Sequence, residues 1–358
     1  MKMSKNVKLF ADNSKELYTA FKDYSDHWLA ENRNVKGKTF SAKSLDDKET
    51  VINKLFSEEL EKKVARGDSD LVHYANNPLV KYFADEIKDA MIDMIIPDVL
   101  NTSVGLVADI RYLDLGDSAK FDIENSGLFT VAKAGYRNRN TLAQRLEDTT
   151  YTLVPENHEV TVITNLYNIM TGRDSVAKYA FKVALSIEAE MLNEVYSAFE
   201  TAVQAATVPS ALQVTNFTES SAVRLAQTVE AYNHAPAVFM GTELALANIL
   251  PSNAQYRYFL SDDIWKLGYV PQFRNHDVVP VKQIADYTSA NYGLKLLDNV
   301  IYVLTPATDK IVKVAIAGGS LSHTEDGFAN ANLSAVGTVT RAWGVDVITN
   351  SIAGVITI

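Results

Sequence analysis

Residues 174 to 206, DSVAKYAFKVALSIEAEMLNEVYSAFETAVQAA, contain neither glycine nor proline, and both stay absent from Arg173 to Val208. So long a run of helix-compatible residues reads as one unbroken helix. Asp174 is the expected N-cap, since its carboxylate can accept from the free amides of the first turn. Gly172 suits the turn that leads in, and Pro209 stops the helix. Val176, Ala180, Val183, Ile187, Met191, Val195, Phe199 and Ala202 recur at spacings of three and four, which places them on one stripe. Val183, Ile187, Met191, Val195 and Phe199 form its expected core. Lys178, Lys182, Glu188, Asn193, Glu200 and Gln204 are expected mostly off it. At 1.5 Å per residue the helix spans roughly 50 Å, longer than a compact domain usually needs.

The remaining 325 or so residues must therefore be arranged about a rod. The chain has 358 residues and is 47% hydrophobic, enough for one elaborate domain or two. Its formal net charge of -10 argues against binding nucleic acid through a basic surface. It has no cysteine, which excludes thiolate catalysis, cysteine zinc sites and disulfides. No apolar run reaches signal-peptide or transmembrane length, so a protein of the cytoplasm with no membrane partner is expected.

The first hundred residues are about twice as densely charged as the rest, and the composition shifts near Pro97. Before that point Phe10, Tyr18, Phe21, Tyr24, Trp28 and Phe40 punctuate a polar stretch, with a short helix expected from Ser14 to Ala30. These aromatics can anchor an arm to another surface or pack a helix on its own domain; the sequence leaves both open. Ser44 is placed to cap a helix running to Arg66. Asn77-Pro78 opens another, which should stop at Pro97.

From Val104 to Met170 the texture becomes that of strands. VGLVADIRYLDL, SAKFDIEN and LFTVAKAG alternate apolar and polar residues, Tyr136 to Asn140 form a basic tip, and the chain returns through Thr150 to Val154 and Glu159 to Thr164. This suggests a long projecting hairpin, which lacks a core of its own and needs another surface to lie on. After Pro209 the pattern is mixed: a helix from Ser221 to Tyr232, a strand PAVFM followed by a helix through Leu250, strands at 277–284 and 299–304, and an aromatic-rich loop from Asn253 to Gln272. Strands return from Lys310 in KIVKVAIAGG, VGTVTRAWGVDVITN and AGVITI.

This order of elements resembles the tailed-phage major capsid proteins of the Hong Kong 97 type. The resemblance lies in order and texture over nearly the whole chain, with no short invariant motif. It implies an α+β fold with an N-terminal arm and helices at 1–103, an extended β-hairpin loop and its base at 104–170, and a spine helix of a peripheral domain at 171–214. An axial domain follows at 215–315, with PAVFMGTELALANIL as its strand-then-helix unit, and C-terminal strands of the peripheral domain at 316–358. It implies a subunit that assembles with many copies of itself, as hexamers and pentamers, into an icosahedral shell around double-stranded DNA without sequence-specific binding. Portal, scaffold and decoration proteins are the implied further partners, and the virion, assembled in a host cytoplasm, is the implied location. Arg137, Arg139, Arg145, Phe129, Tyr256 and Trp265 are the candidate contacts between subunits. The arginines suit this because a planar guanidinium makes two bonds to one carboxylate. A solvated loop tip and a core flap are the plainer readings of the same residues. Lys120 and Lys133 lie on the loop, but no asparagine partner is marked and no crosslink is expected.

An enzyme has little to start from. The six histidines, at 27, 73, 158, 234, 276 and 323, show no metal-ligand spacing, and His158 reads as part of a polar turn. GxGxxG, GxxxxGK[ST] and GxSxG are absent. Ser175 and Lys178 match SxxK without the motifs that accompany it in an acyl-transfer site. Asp46-Asp47 and Asp262-Asp263 are adjacent pairs, which do not face one another, and Gly318-Gly319 reads as a turn. No catalytic residue, metal or cofactor is expected. The alternatives are an encapsulin-like shell enclosing cargo proteins and a soluble enzyme whose site is not recognised.

Overall fold

A computed structural model describes residues 5–33, 37–64, 78–104, 108–123, 149–164, 168, 173–204, 207–251, 253, 255, 261–281, 283–286, 292–306, 310–324, 335–348 and 351–358. In chain order the elements are α1 (Lys5–Asn13), α2 (Lys15–Arg33), α3 (Leu45–Val64), α4 (Pro78–Val104), β1 (Ala108–Leu113), β2 (Ala119–Ile123), β3 (Thr149–Leu153), β4 (Glu156–Thr164) and α5 (Val176–Ala202). There follow β5 (Gln213–Thr215), α6 (Glu219–Asn233), β6 (Val238–Thr242), α7 (Glu243–Leu246), α8 (Ser261–Leu267), β7 (Gln272–Phe273), β8 (His276–Val281), β9 (Val300–Leu304), β10 (Val312–Thr324), β11 (Ala335–Val347) and β12 (Gly354–Thr357).

The long run of helix formers is α5, unbroken over 27 residues and so about 40 Å long. Ser175, one residue past the expected Asp174, is its N-cap. Its backbone is extended, and its hydroxyl accepts from the Lys178 amide at 3.2 Å. The SxxK match is thus a cap. Asn53 of α3 reinforces this end, accepting from the Val176 amide at 3.0 Å and donating to the Asp174 carbonyl. Val183, Ile187, Met191, Val195 and Phe199 are buried, each contributing roughly 1.5–3 kcal/mol by leaving water. The buried surface is wider than one stripe, because α3 and α4 pack on α5 as well as the sheet. Ala177, Phe181, Ala184, Tyr196 and Glu188, the last expected outside, are therefore buried too.

The polar N-terminal stretch packs on its own body. Phe21, Tyr24 and Trp28 of α2 gather round Phe181 of α5, with ring centroids 6.1, 5.4 and 4.9 Å away. Ser44 caps α3, accepting from the Asp47 amide at 3.2 Å. α4 runs through Pro97 rather than stopping there. A proline forfeits one backbone bond; burial of Ile92, Ile95 and Ile96 in the preceding turn holds the helix to the core and offsets that loss.

Two sheets share one continuous core. The first has the order β1-β10-β11-β4, with β1 parallel to β10 and the other pairs antiparallel. The second has the order β5-β12-β9-β6-β8-β7. The final strand is a correction to the expected grouping of 316–358: β12 leaves the first sheet and inserts between β5 and β9 of the second. α6 covers it closely enough that a Cβ on Gly354 would meet Leu225 at 2.9 Å. Phe199 near the end of α5 packs edge-on against Tyr302 of β9 at 4.8 Å, joining the rod to the second sheet.

Gly318-Gly319 lies within β10, not in a turn. Gly318 has φ +65, and the register with β11 shifts between Ala317 and Leu321. β1 accompanies β10 only as far as Ala317. Beyond that point α4 takes over the edge. Asp93 accepts from the amide and hydroxyl of Ser320 (2.9 and 2.8 Å), Asp89 from those of Ser322, and Asp85 from those of Thr324 (3.0 and 2.7 Å). Four helical residues rise about 6 Å and two strand residues about 6.6 Å, so the two rows stay in step over three rungs. The sequence shows both rows, D-x-x-x-D-x-x-x-D in α4 and S-x-S-x-T in β10, but nothing in either says that they meet.

Candidate functional site

β2 and β3 form a two-stranded ribbon with Ala119 opposite Leu153 and Ile123 opposite Thr149. Alternation turns Ala119, Phe121 and Leu153 inward, where they bury a small separate cluster on Ala315 of β10 and Leu113. Arg111 of β1 lies over the Phe121 ring at 4.2 Å, a cation on the negative face of an aromatic, and donates to the Lys120 carbonyl. On the other face Thr150 donates to Asp122 across the ribbon at 2.8 Å, while Tyr151, on the same face as Phe121 and Leu153, donates to Asp346 of β11 at 2.7 Å. That bond to a carboxylate raises the Tyr151 phenol above its usual range. The ribbon's base is thus fixed to the body through its inward face, and 25 residues of sequence separate its two strands.

Beside this base a groove of about 670 Å³ runs along the outer side of α5, floored by α5 and walled by β11. Glu190, Glu194 and Asp346 line it against one cation, Lys295. Glu194 is held by the Trp343 indole, which donates to it at 2.7 Å, and by His158 at 3.2 Å. His158 lies in β4 rather than in a turn; its ring pairs with Trp343, so the strand position serves packing. Asn193 donates weakly to Glu190 at 3.5 Å, and its buried side-chain oxygen has no partner among the described residues. Glu200, two turns along α5 from Asn193, accepts from the Leu297 amide at 3.3 Å. Burial raises its carboxyl above the ordinary range, opposed by that bond and by Lys295. The groove is polar, open and acidic, suited to a cation-bearing segment rather than to a small apolar ligand.

Of the contact candidates named from sequence, Phe129, Arg137, Arg139, Arg145 and Tyr256 lie outside the described residues. Trp265 is placed on α8, a short helix within the stretch expected to be a loop, and is 89% exposed. An aromatic of that size left in water on a folded domain suits a surface that another molecule covers. Sequence reasoning missed the groove itself: Glu190 and Glu194 sit one turn apart on α5, but Asp346 reaches them only through the sheet.

Among the described residues, no group of three His, Asp or Glu side chains is placed to hold a metal ion. Among the same residues, no helix is long and apolar enough to cross a membrane.

No individually curated protein matches the chain by sequence. Solved structures that resemble it include the capsid of the cyanophage P-SCSP1u, at 10% identity over 70% of this chain and 86% of that one, with a TM-score of 0.47. The capsid of an empty GTA particle aligns at 13% identity over 72% and 96%, with a TM-score of 0.46. The virus-like particle from Pyrococcus furiosus aligns at 9% identity over 73% and 95%, with a TM-score of 0.43. A family model, described as SPbeta prophage-derived putative capsid protein YonB, matches residues 17–357, nearly the whole sequence. The chain therefore belongs to the YonB family of phage capsid proteins.

Proposed function

We propose that this protein is the major capsid subunit of a tailed phage, many copies of which close into an icosahedral shell around double-stranded DNA. Membership of a capsid family carries the reading. The ribbon supports it: its two described strands bury only a small cluster of their own and are joined by 25 further residues, and a two-stranded ribbon gains stability by lying on a neighbour. The stretch between its strands includes Lys133, Arg137, Arg139 and Arg145 and no acidic residue from 133 to 145. The acidic groove on α5 has the opposite sign. We assign the groove of one subunit to the loop of the next, with the arginines bonding its carboxylates two at a time. Exposed Trp265 belongs to a second contact between copies. Each contact is weak alone, and closure of the shell sums them.

In this reading the subunit is structural and has no reaction of its own. DNA is enclosed without a basic lining, consistent with the net charge of -10. Hexamers and pentamers, assembly in the host cytoplasm, and portal, scaffold or decoration partners belong to the same reading. Electron microscopy of the purified full-length chain, with its nucleic acid assayed, tests it. Shells that carry double-stranded DNA when made during infection support the phage reading. Shells that carry one cargo protein support an encapsulin-like compartment instead, and a chain that never forms shells removes both.

A further inference from the structure

The seam where α4 covers the free edge of β10 buries three carboxylates: Asp85 and Asp89 are each 8% exposed, and Asp93 is 3% exposed. Two cations meet them. Lys88 stands 3.1 Å from Asp85, and Arg341 of β11 pairs with Asp93. Asp89, the middle rung, accepts from the amide and hydroxyl of Ser322 and has no cation in ion-pair reach among the described residues.

Among the described residues, the other elements packed on α4 do not supply one. α5 contributes Tyr179, whose ring faces Lys88 at 5.7 Å. Burial first, then Asp85 and Asp89, push its hydroxyl up to about 12, so it stays neutral. Glu188 of α5 is buried and has a partner of its own. α1 meets α4 through Leu9, Phe10, Asn13 and Ser14, against Glu86. β10 offers the hydroxyls of Ser320, Ser322 and Thr324; its buried Lys313 lies over the Phe121 ring at 5.7 Å, and its His323 is exposed. Lys48, a buried cation of α3, is engaged with Asp23 of α2.

With every group ionised, the described residues of the seam hold three negative charges against two positive ones out of water. A buried charge without a partner is strongly unfavourable, and binding a proton relieves it. We propose that this seam is a proton-linked latch: it holds one proton on Asp89 while α4 is seated on β10 and releases it when α4 lifts away. The protonated carboxyl keeps both contacts, accepting the Ser322 amide on one oxygen and donating its O–H to the Ser322 hydroxyl from the other. The position of the Asp89 titration agrees. Burial, opposed by both Ser322 bonds and aided by Asp93 and Asp85, raises it to about 7 from 3.8.

The sign follows from those two values. Between them, the seated form carries a proton that the unseated form lacks, so seating strengthens as pH falls and is weakest above neutrality. Unseating would expose the amides of Ser320, Ser322 and Thr324 as an open strand edge, able to pair with another chain. The latch does not depend on the shell reading.

Amide hydrogen exchange on the purified full-length chain, expressed as protection factors so that intrinsic exchange is removed, tests the proposal. For Ser320, Ser322 and Thr324, protection should rise by at least about tenfold from pH 8 to pH 5.5, since the seating constant gains up to about tenfold per pH unit in this window. Infrared difference spectra over the same range should show a protonated-carboxyl band growing in. Asp89→Asn preserves both contacts without titrating and should flatten both responses. Protection that ignores pH overturns the proposal, as does a variant that keeps the full pH response. Should Asp89→Asn fail to fold, the wild-type infrared band decides: present over this range it supports the latch, and absent it refutes it.

Discussion

The rings of His158 and Trp343 lie face to face, with centroids 3.6 Å apart and planes 10° from parallel, and both reach the carboxylate of Glu194. One residue comes from β4, one from β11 and one from α5, so this contact ties the sheet to the rod at the wall of the acidic groove. Trp343→Phe keeps the stacking and removes the indole donor. It should destabilise the chain by about 1–3 kcal/mol, the worth of one hydrogen bond to a charged acceptor, with His158 still in reach of Glu194. Trp343→Ala, which also empties the ring's volume, should cost about 3–5 kcal/mol. Urea unfolding followed by circular dichroism measures both; a Trp343→Phe variant as stable as the parent chain would show that the bond to Glu194 is worth nothing.

The cap of α5 can be assigned by a pair of substitutions. Ser175→Ala removes the hydroxyl that accepts from Lys178 and should lose about 1 kcal/mol. Asp174→Ala should change stability by less than about 0.5 kcal/mol, since that side chain is exposed. The reverse ranking in chemical denaturation would put the cap back on Asp174.

Gly354 marks where the last strand slides under α6. A methyl there would lie 2.9 Å from Leu225, so Gly354→Ala should destabilise by about 1–3 kcal/mol through overpacking. Leu225→Val should recover part of that loss in the double variant, giving a non-additive cycle. Simple additivity in the two melting curves would mean that the methyl is accommodated elsewhere.

Arg341 and Asp93 are both buried and bonded to one another, and Arg341 also donates to the Ser320 hydroxyl at 3.0 Å. Asp93→Ala strands the guanidinium and should cost about 3–5 kcal/mol. Replacing both, as Asp93→Leu with Arg341→Met, should cost markedly less, because neither change then leaves a charge behind. Thermal unfolding of the two variants decides it, and a double variant as damaged as the single one would refute this explanation.

What the sequence revealed followed the local signals. The uninterrupted run at 174–206 and the spacing of Val183, Ile187, Met191, Val195 and Phe199 specify α5 and its principal buried face. Alternation in SAKFDIEN and the return through Thr150 specify the ribbon's base. The errors came where distant contacts overrule local chemistry. Pro97 is a helix breaker in isolation, yet the buried isoleucines before it hold α4 together. Gly318-Gly319 has turn chemistry, yet it marks the point in β10 where β1 gives way to α4. Nothing local marks Asp85, Asp89 and Asp93, whose donors come from β10, more than 225 residues away in sequence. β12 belongs to the second sheet for a similar reason: its pairing with β5 and β9 and its cover by Leu225 come from residues distant in sequence.

The loop arginines separate folding from assembly. Arg137→Ala, Arg139→Ala and Arg145→Ala together should leave the circular dichroism spectrum and melting temperature of the chain unchanged while abolishing or slowing its association. Light scattering follows the association directly. Unimpaired association would remove these residues from the contact, and a collapse of the fold would make them structural.

The most direct measurement is negative-stain microscopy of the purified full-length protein, paired with its mass in solution. The account predicts closed shells of uniform diameter, built from rings of subunits. Particles that remain monomers or small open oligomers, under conditions where the chain is folded and concentrated, would contradict it.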